Sequence, residues 1–403
     1  MKNSSNKSTT LLIIALSMLT AFAPLSVDMY LPSLPMLAKI YDVNEATIQL
    51  TLSSFLFGFA VAQLIHGPLS DRWGRKPVIF LGITIYIIAS LGVIFSSKVE
   101  AMIFFRFFQA FGGSAGPVIA RAIVRDTFSK DKSSQILSIL FLVMSMAPLL
   151  APLIGGQILY FFGWKYIFIT LIIFSFICLI LTFGIRESLP KTSRSKIGFF
   201  SILIIYKNLL LHKKFIGYTL CMSFGFSGMF AYISGSPFFI IDYLNFSPQL
   251  FGFFFFINVL FLIIGSTINA LFVNKYGSEK MLFIGISLSA IFGIFIFLNI
   301  LIYPKLNYTI IFFITLFMPS VTITGANATA AALNLFPKNI GSAAAAIGAV
   351  QFMIGGISGY VVGELYFFTF YSMAIVIGIS GLLSFFSYIF ILRRISLNFF
   401  SRF

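Results

Sequence analysis

The sequence predicts an all-α integral membrane protein of twelve transmembrane helices in two pseudo-symmetric six-helix halves, and three observations carry that prediction. The mean hydropathy is +1.02, with 59% hydrophobic and only 9% charged residues among 403. That is too apolar for a water-soluble chain, which keeps a charged surface. Apolar runs long enough to cross the hydrocarbon, about 20 residues each, recur with short polar breaks from Leu11 to Leu392. Finally, one loop element occurs twice: "DRWGRKPVIFLG" from Asp71 and "NKYGSEKMLFIG" from Asn274 align without gaps through Phe80/Phe283 and Gly82/Gly285. Barrel strands would alternate in polarity over about 10 residues, which these runs do not.

The spans are expected at 10–32, 46–69, 77–96, 99–122, 134–160, 164–186, 215–240, 249–273, 280–302, 306–333, 340–366 and 369–392. Lys2, Lys7 and "AFA" at 21–23 give the first run the look of a secretory leader, but Pro24 follows at once and the run continues to Tyr30, so it is read as a span. The polar interval 186–196 and the apolar run after it, broken by Lys207 and closed by Lys213 and Lys214, read as a linker with an amphipathic helix on the membrane surface. The chain therefore divides into a first half (1–187), a linker (188–213) and a second half (214–403). Gly155-Gly156 and Gly355-Gly356 fall in the fifth span of each half, and repeated halves with a site between them are the plan of many secondary transporters.

A net charge of +16 invites a nucleic-acid reading, but placement argues otherwise. Of the 27 Lys and Arg, only Lys39, Lys98, Lys165 and Lys305 fall in outer loops and Arg106 in a span; the other 22 lie on one side. This is the positive-inside pattern. It puts both termini in the cytoplasm of a multi-pass inner-membrane protein and implies contact with anionic lipid, with no nucleic acid. Cys178 and Cys221 lie in spans and imply no disulfide framework. His66 and His212 are isolated, so no catalytic or metal-binding cluster is expected, and no cofactor. The absence of a phosphate-binding loop argues against ATP-driven transport. A channel would want rings of pore-lining polar groups.

Two charges lie inside spans. A carboxylate such as Asp28 at mid-bilayer costs about 2.5–3.5 kcal/mol unless compensated. Protonation is the simplest compensation, and a carboxyl that ionises when exposed to one side is a proton carrier; capping of local backbone beside Pro24 and Pro32 is the alternative role. Arg106 cannot shed its proton, so it must face a cavity or a partner; a purely structural polar staple is its alternative. At the inner end of the second span Asp71 suits the positive end of a neighbouring helix. Arg75 then needs an anion, for which Asp126 at the inner end of the fourth span is the nearest by topology. Such a cluster would latch the inner ends of the halves in an outward-open state. No charge lies deep in the second half, Glu364 being at the outer edge of the eleventh span, so Asn258 and Asn327, with Gln109 in the first half, are candidates for a substrate cavity.

The stretch Gly67, Asp71, Arg72, Gly74, Arg75, Lys76 resembles the loop signature of the major facilitator superfamily, G-x-x-x-D-R-x-G-R-[RK]. With "PLSVDMYLPSLP", "RFFQAFGGSAGPVIARAIVRD" and "APLLAPLIGG", the chain is similar to the bicyclomycin-resistance (Bcr/CflA) group of twelve-span drug:proton antiporters. The resemblance implies that the neighbour of Asp71 is the eleventh span, beginning near Gly341. It also implies that Arg106, with Gln109 and Gly112 following, helps to move protons or to orient the first-span acid. Pro148, Pro152, Gly155 and Gly156 match the family's antiporter motif, with Ala147 and Ala151 where glycine is usual. The expected function is proton-driven efflux of small amphipathic compounds by a monomer, without enzymatic activity; a proton-coupled exporter of a natural metabolite, such as an amino acid, is the alternative.

Overall fold

The computed structural model describes residues 2–194, 199–302, 307–366, 369 and 371–393; Lys196, Lys305, Arg394 and Arg402 of the charge pattern lie outside them. Among the described residues the structure is helical throughout, with no strand. The first crossing is assembled from α1 (Lys2–Thr20), α2 (Phe22–Asp28), a 3-10 turn (Leu31–Ser33) and α3 (Leu34–Ile40). Prolines make the joints: Pro24, Pro32 and Pro35 have no N–H to return to the carbonyls of Thr20, Asp28 and Leu31. There follow α4 (Glu45–Trp73), α5 (Arg75–Phe95), α6 (Val99–Gly113), α7 (Ala115–Thr127), α8 (Lys130–Phe162) and α9 (Trp164–Gly184). After the linker helix α10 (Phe199–Leu211) come α11 (Lys213–Pro237, continued by a π-helical turn, Phe238–Tyr243), α12 (Pro248–Tyr276), α13 (Ser278–Ile302), α14 (Asn307–Asn334), α15 (Ile340–Tyr366) and α16 (Ser372–Ser387).

Eleven stretches, counting the jointed Thr9–Ile40 as one, are long and apolar enough to cross a membrane, one fewer than the twelve expected. The difference is the fourth span. Pro117 cannot donate to the carbonyl of Gly113, so the helix breaks at Ser114 into pieces of 15 and 13 residues, each too short alone. Ser114 nonetheless stays in α geometry, its N–H bonded to Ala110 O at 3.0 Å, and the chain runs on in one direction.

The repeat seen in the loop extends to the helices. The second span of the first half and that of the second, α4 and α12, have 29 residues each. Their starts (Glu45, Pro248), their ends (Trp73, Tyr276) and the starts of the next helices (Arg75, Ser278) are all displaced by the interval that separates Lys39 from Asp242, 203 residues. Helices α4–α9 pack among themselves, as do α11–α16, and the two groups meet where α4 runs along α15 and α8 along α12.

On the side poor in basic residues the groups are closed together. Lys39 Nζ donates to Asp242 Oδ1 at 3.0 Å, and Ser234 Oγ donates to Gln49 Oε1 at 2.7 Å. On the basic side α10 lies across the end of the α4–α15 seam: Tyr206 and Leu209 are buried against the second group, and the Tyr206 hydroxyl donates to Leu64 O of α4 at 3.1 Å. Burial pushes the Tyr206 phenol up to about 12, so it remains a donor at neutral pH.

Candidate functional site

Asp28 ends α2, in the segment with prolines on both sides. It is 4% exposed, and among the described residues no hydrogen bond or ion pair reaches its carboxyl. The ion pairs among those residues join Lys39 to Asp242 and Arg75 to Asp71 and Asp126, so Arg106 is not salt-bridged to Asp28. It is tied to the same segment through backbone. Arg106, wholly buried, donates from Nη1 to Ser26 O at 3.1 Å and to Gln109 Oε1 at 2.5 Å, and Gln109 Nε2 donates onward to Ser90 Oγ at 2.8 Å. The guanidinium lies 4.4 Å from the ring centre of Phe55 and 4.6 Å from that of Tyr30, contacts worth about 2 kcal/mol each when desolvated. Its Nε and Nη2 have no partner among the described residues. A cation held this way fixes the position of α2 and puts positive charge beside the acid's segment.

Helix α8 closes on that segment from the other side. A Cβ on Gly155 would run into the carbonyl of Met29, the residue after Asp28, and one on Gly156 would meet Pro248 O at the start of α12. These glycines therefore let α8 approach two backbones at once. Pro148 and Pro152 sit inside α8 without ending it.

On the basic side the structure brings together Asp71, Arg75 and Asp126. Arg75, its side chain 7% exposed, donates from Nη1 to Asp71 Oδ1 at 2.5 Å and to Ser70 Oγ at 2.8 Å, and from Nε to Asp126 Oδ2 at 2.8 Å. Glu187, which sequence reasoning missed, completes the cluster: its carboxylate accepts the N–H groups of Arg75 (3.0 Å) and Lys76 (3.1 Å), placing an anion on the positive N-terminus of α5. Reciprocally, Lys76 Nζ donates to Phe183 O (2.8 Å) and Ile185 O (3.0 Å) at the end of α9. Gly74 is required by its φ of 107°. Gly67 has open space where a Cβ would stand, and Arg72 is exposed in the last turn of α4.

Among the described residues Asp71 pairs with Arg75, and no hydrogen bond joins it to the start of α15. One expectation is corrected here. Gln109, Asn258 and Asn327 do not line an open cavity in this conformation. Each is at most 2% exposed and is engaged internally, Asn258 with the Tyr232 hydroxyl (2.9 Å) and Asn327 with Asn269 (2.6 Å). His66 was likewise underestimated. His66 Nδ1 is hydrogen-bonded to Ser114 Oγ (2.9 Å), which also lies 3.1 Å from Phe111 O, and Nε2 is buried with no partner among the described residues.

Comparison with known proteins fits this architecture. The family model described as Major Facilitator Superfamily matches residues 16–360. The bicyclomycin resistance protein homolog of Haemophilus influenzae is 35% identical over 96% of this chain and 98% of its own length. Multidrug resistance protein D of Escherichia coli is 30% identical over 55% of each. Among solved structures, a D-xylose-proton symporter superposes with a TM-score of 0.75 at 16% identity, covering 95% of this chain and 97% of its own. A bacterial homolog of the human lysosomal transporter Spinster, in an inward-facing conformation, gives 0.73 at 14%, covering 96% and 98%. At such identities the structures speak to the fold alone, and it is the fold of transporters, not of enzymes. The helical repeat, the loop around Arg75 and the full-length relative converge: this multi-pass membrane chain belongs to the major facilitator superfamily, in its bicyclomycin-resistance (Bcr/CflA) group.

Proposed function

We propose that the protein is a proton-driven antiporter of the bacterial inner membrane that exports small amphipathic compounds, drugs among them, by alternating access of its two halves. Both termini and the linker face the cytoplasm, and the unit of transport is the monomer. The observation that carries the coupling is Asp28: a buried carboxyl, unpaired among the described residues, on a segment jointed by prolines and anchored through Ser26 by Arg106. A carboxyl without a fixed cation can give up its proton when its surroundings open to water, and a jointed segment can present it to one side at a time. The names of the relatives support the substrate class. Asp71, Arg75 and Asp126 hold the basic-side ends of α4, α5 and α7 as one body that moves together and latches against the second half in the outward-open state.

The test is proton release on substrate addition to purified protein in detergent. Wild type releases protons; Asp28→Asn, which keeps shape but cannot ionise, abolishes both release and transport driven by a pH gradient while expression is preserved. Release that survives unchanged in Asp28→Asn moves the coupling site elsewhere, Glu364 being the next acid to examine.

A further inference from the structure

A cavity of about 330 Å³ lies on the side poor in basic residues, where the two groups of helices meet. Its size is at the lower end for a small-molecule site, roughly 300–1,000 Å³. Both halves build it. The first contributes Pro32 and Lys39 from the jointed crossing and Leu159 and Tyr160 from the end of α8; the second contributes Asp242 from the π-helical turn and Pro248 from the start of α12. Neither half holds the site alone, so it exists in this form only while those ends are together.

The lining is apolar and poor in donors. Pro32, Pro35 and Pro248 bring no backbone N–H, and the side chains of Met36, Leu159 and Ile241 have no polar hydrogen. The charges are those of Lys39 and Asp242, paired at 3.0 Å, and they are not equally placed: the Lys39 side chain is 76% exposed and that of Asp242 28%. The carboxylate is therefore part of the wall, whereas the lysine reaches it from the mouth on a flexible stem. Glu45, at the start of α4, and Asp242 both stand near Tyr366, so two carboxylates share this rim with the Lys39 ammonium. An ion pair as exposed as this holds weakly. A ligand with its own ammonium makes the same contact with Asp242 and adds what the lysine stem leaves in water, burial of an apolar body against the proline rings. The ring of Tyr160 offers the cation a further favourable surface.

We propose that this cavity is an inhibitory site for small lipophilic amines arriving from outside: the ligand ammonium replaces that of Lys39 at Asp242, the apolar body packs on the prolines, and the bound ligand holds the halves together on that side. A ligand that binds one of two states shifts the population toward it. Asp28 does not line the cavity, so the site is separate from the coupling acid. The alternating-access reading is needed only for the consequence that transport stops.

The test is binding, so its failure is separable from that of proton coupling. The probe is adamantylamine, with adamantanol as its uncharged analogue, added to the full-length protein in detergent. The amine should raise the melting temperature and the alcohol should not. Asp242→Asn should abolish the effect, Lys39→Met should strengthen amine binding several-fold by removing the competing ammonium, and Asp28→Asn should leave it unchanged. Equal stabilisation by the alcohol, or weaker amine binding in Lys39→Met, overturns the pairing of ligand with Asp242. Binding that is lost in Asp28→Asn and kept in Asp242→Asn puts the amine in the transport path and overturns the site. Should Asp242→Asn fail to fold, Met36→Trp, which fills the cavity from an exposed position, must block the amine instead. Closure is read with Ser53→Cys, buried in the α4–α15 seam, in a chain carrying Cys178→Ala and Cys221→Ala. At ten times its Kd the amine should slow thiol labelling about tenfold, and an unchanged rate overturns the state selectivity.

Discussion

The loop after α4 and the loop after α12 are two copies of one element, and they differ in what surrounds the same backbone. Gly74 (φ 107°, ψ 161°) and Gly277 (φ 80°, ψ 155°) turn the chain in the same way, and both N–H groups return to the preceding helix, to Ser70 O and Val273 O. Around Gly74 stand Glu187 and Arg194, whereas nothing lies within 4 Å of where a Cβ of Gly277 would be. Arg75 has two carboxylates; Glu279 and Lys280 are exposed and enter no ion pair among the described residues. The turn is what the repeat requires of any two helices joined this way. The charge is an addition to one copy, and it binds α4, α5, α7 and α9 into one body that the second half does not reproduce.

Substitutions in matched pairs test that contrast. The largest effect is expected for Arg75→Ala, which leaves Asp71 and Asp126 facing each other without their cation: about 2–3 kcal/mol of apparent stability, below the full figure for a buried pair because Asp71 is half exposed. It is read as a fall in the melting temperature of detergent-purified protein, and Ser278→Ala, at the corresponding position of the second copy, should leave that temperature unchanged. Next, Gly74→Ala should cost about 2 kcal/mol and Gly277→Ala about 1 kcal/mol, because both force an L residue into a region nearly restricted to glycine but only the first also displaces neighbours. Equal losses would mean that the surroundings of Gly74 contribute nothing. Glu187→Gln should cost about 0.3–1 kcal/mol through the uncapped charge at the start of α5, an effect that shrinks with added salt; insensitivity to salt would count against the helix-end role. The smallest effect concerns topology and not energy: external thiol reagents should label a cysteine at Lys98 and spare one at Arg194, and strong outside labelling of Arg194→Cys would break the orientation.

How far the sequence was legible follows the range of the interactions involved. Span positions are set by local hydropathy and were readable, except where prolines inside an apolar run break the helix: at 99–122, split in two beside Pro117, and at 10–32, where the crossing is jointed and runs on to Ile40. Partnership of Arg75 with Asp126 was readable because helix ends on one side of a membrane have few places to go. Glu187 was not, although an acid among the basic residues after the sixth span was a usable signal, because capping depends on how the end of α9 folds back. The fates of Gln109, Asn258 and Asn327 were not readable either. An amide in a span satisfies itself with a neighbouring helix or with a ligand, and composition does not distinguish the two. For His66, its contact with Ser114 beside the Pro117 break is made only by the three-dimensional packing of α4 on α6 and α7.

The ion pair between Lys39 and Asp242 has a consequence of symmetry. Its members are 203 residues apart, the same interval that separates Gly74 from Gly277, so they are one position seen twice and they meet where the two halves face each other. A side chain on a two-fold axis meets its own counterpart. Had both copies kept lysine, or both aspartate, like charges would oppose one another at the closed end of the protein; with opposite signs, closing becomes attractive. The Lys39 side chain is 76% exposed, so the attraction is worth at most about 1 kcal/mol. It is therefore a bias that thermal motion can reverse, not a lock. The exchange of both residues, Lys39→Asp with Asp242→Lys, should leave it intact, while either change alone turns attraction into repulsion.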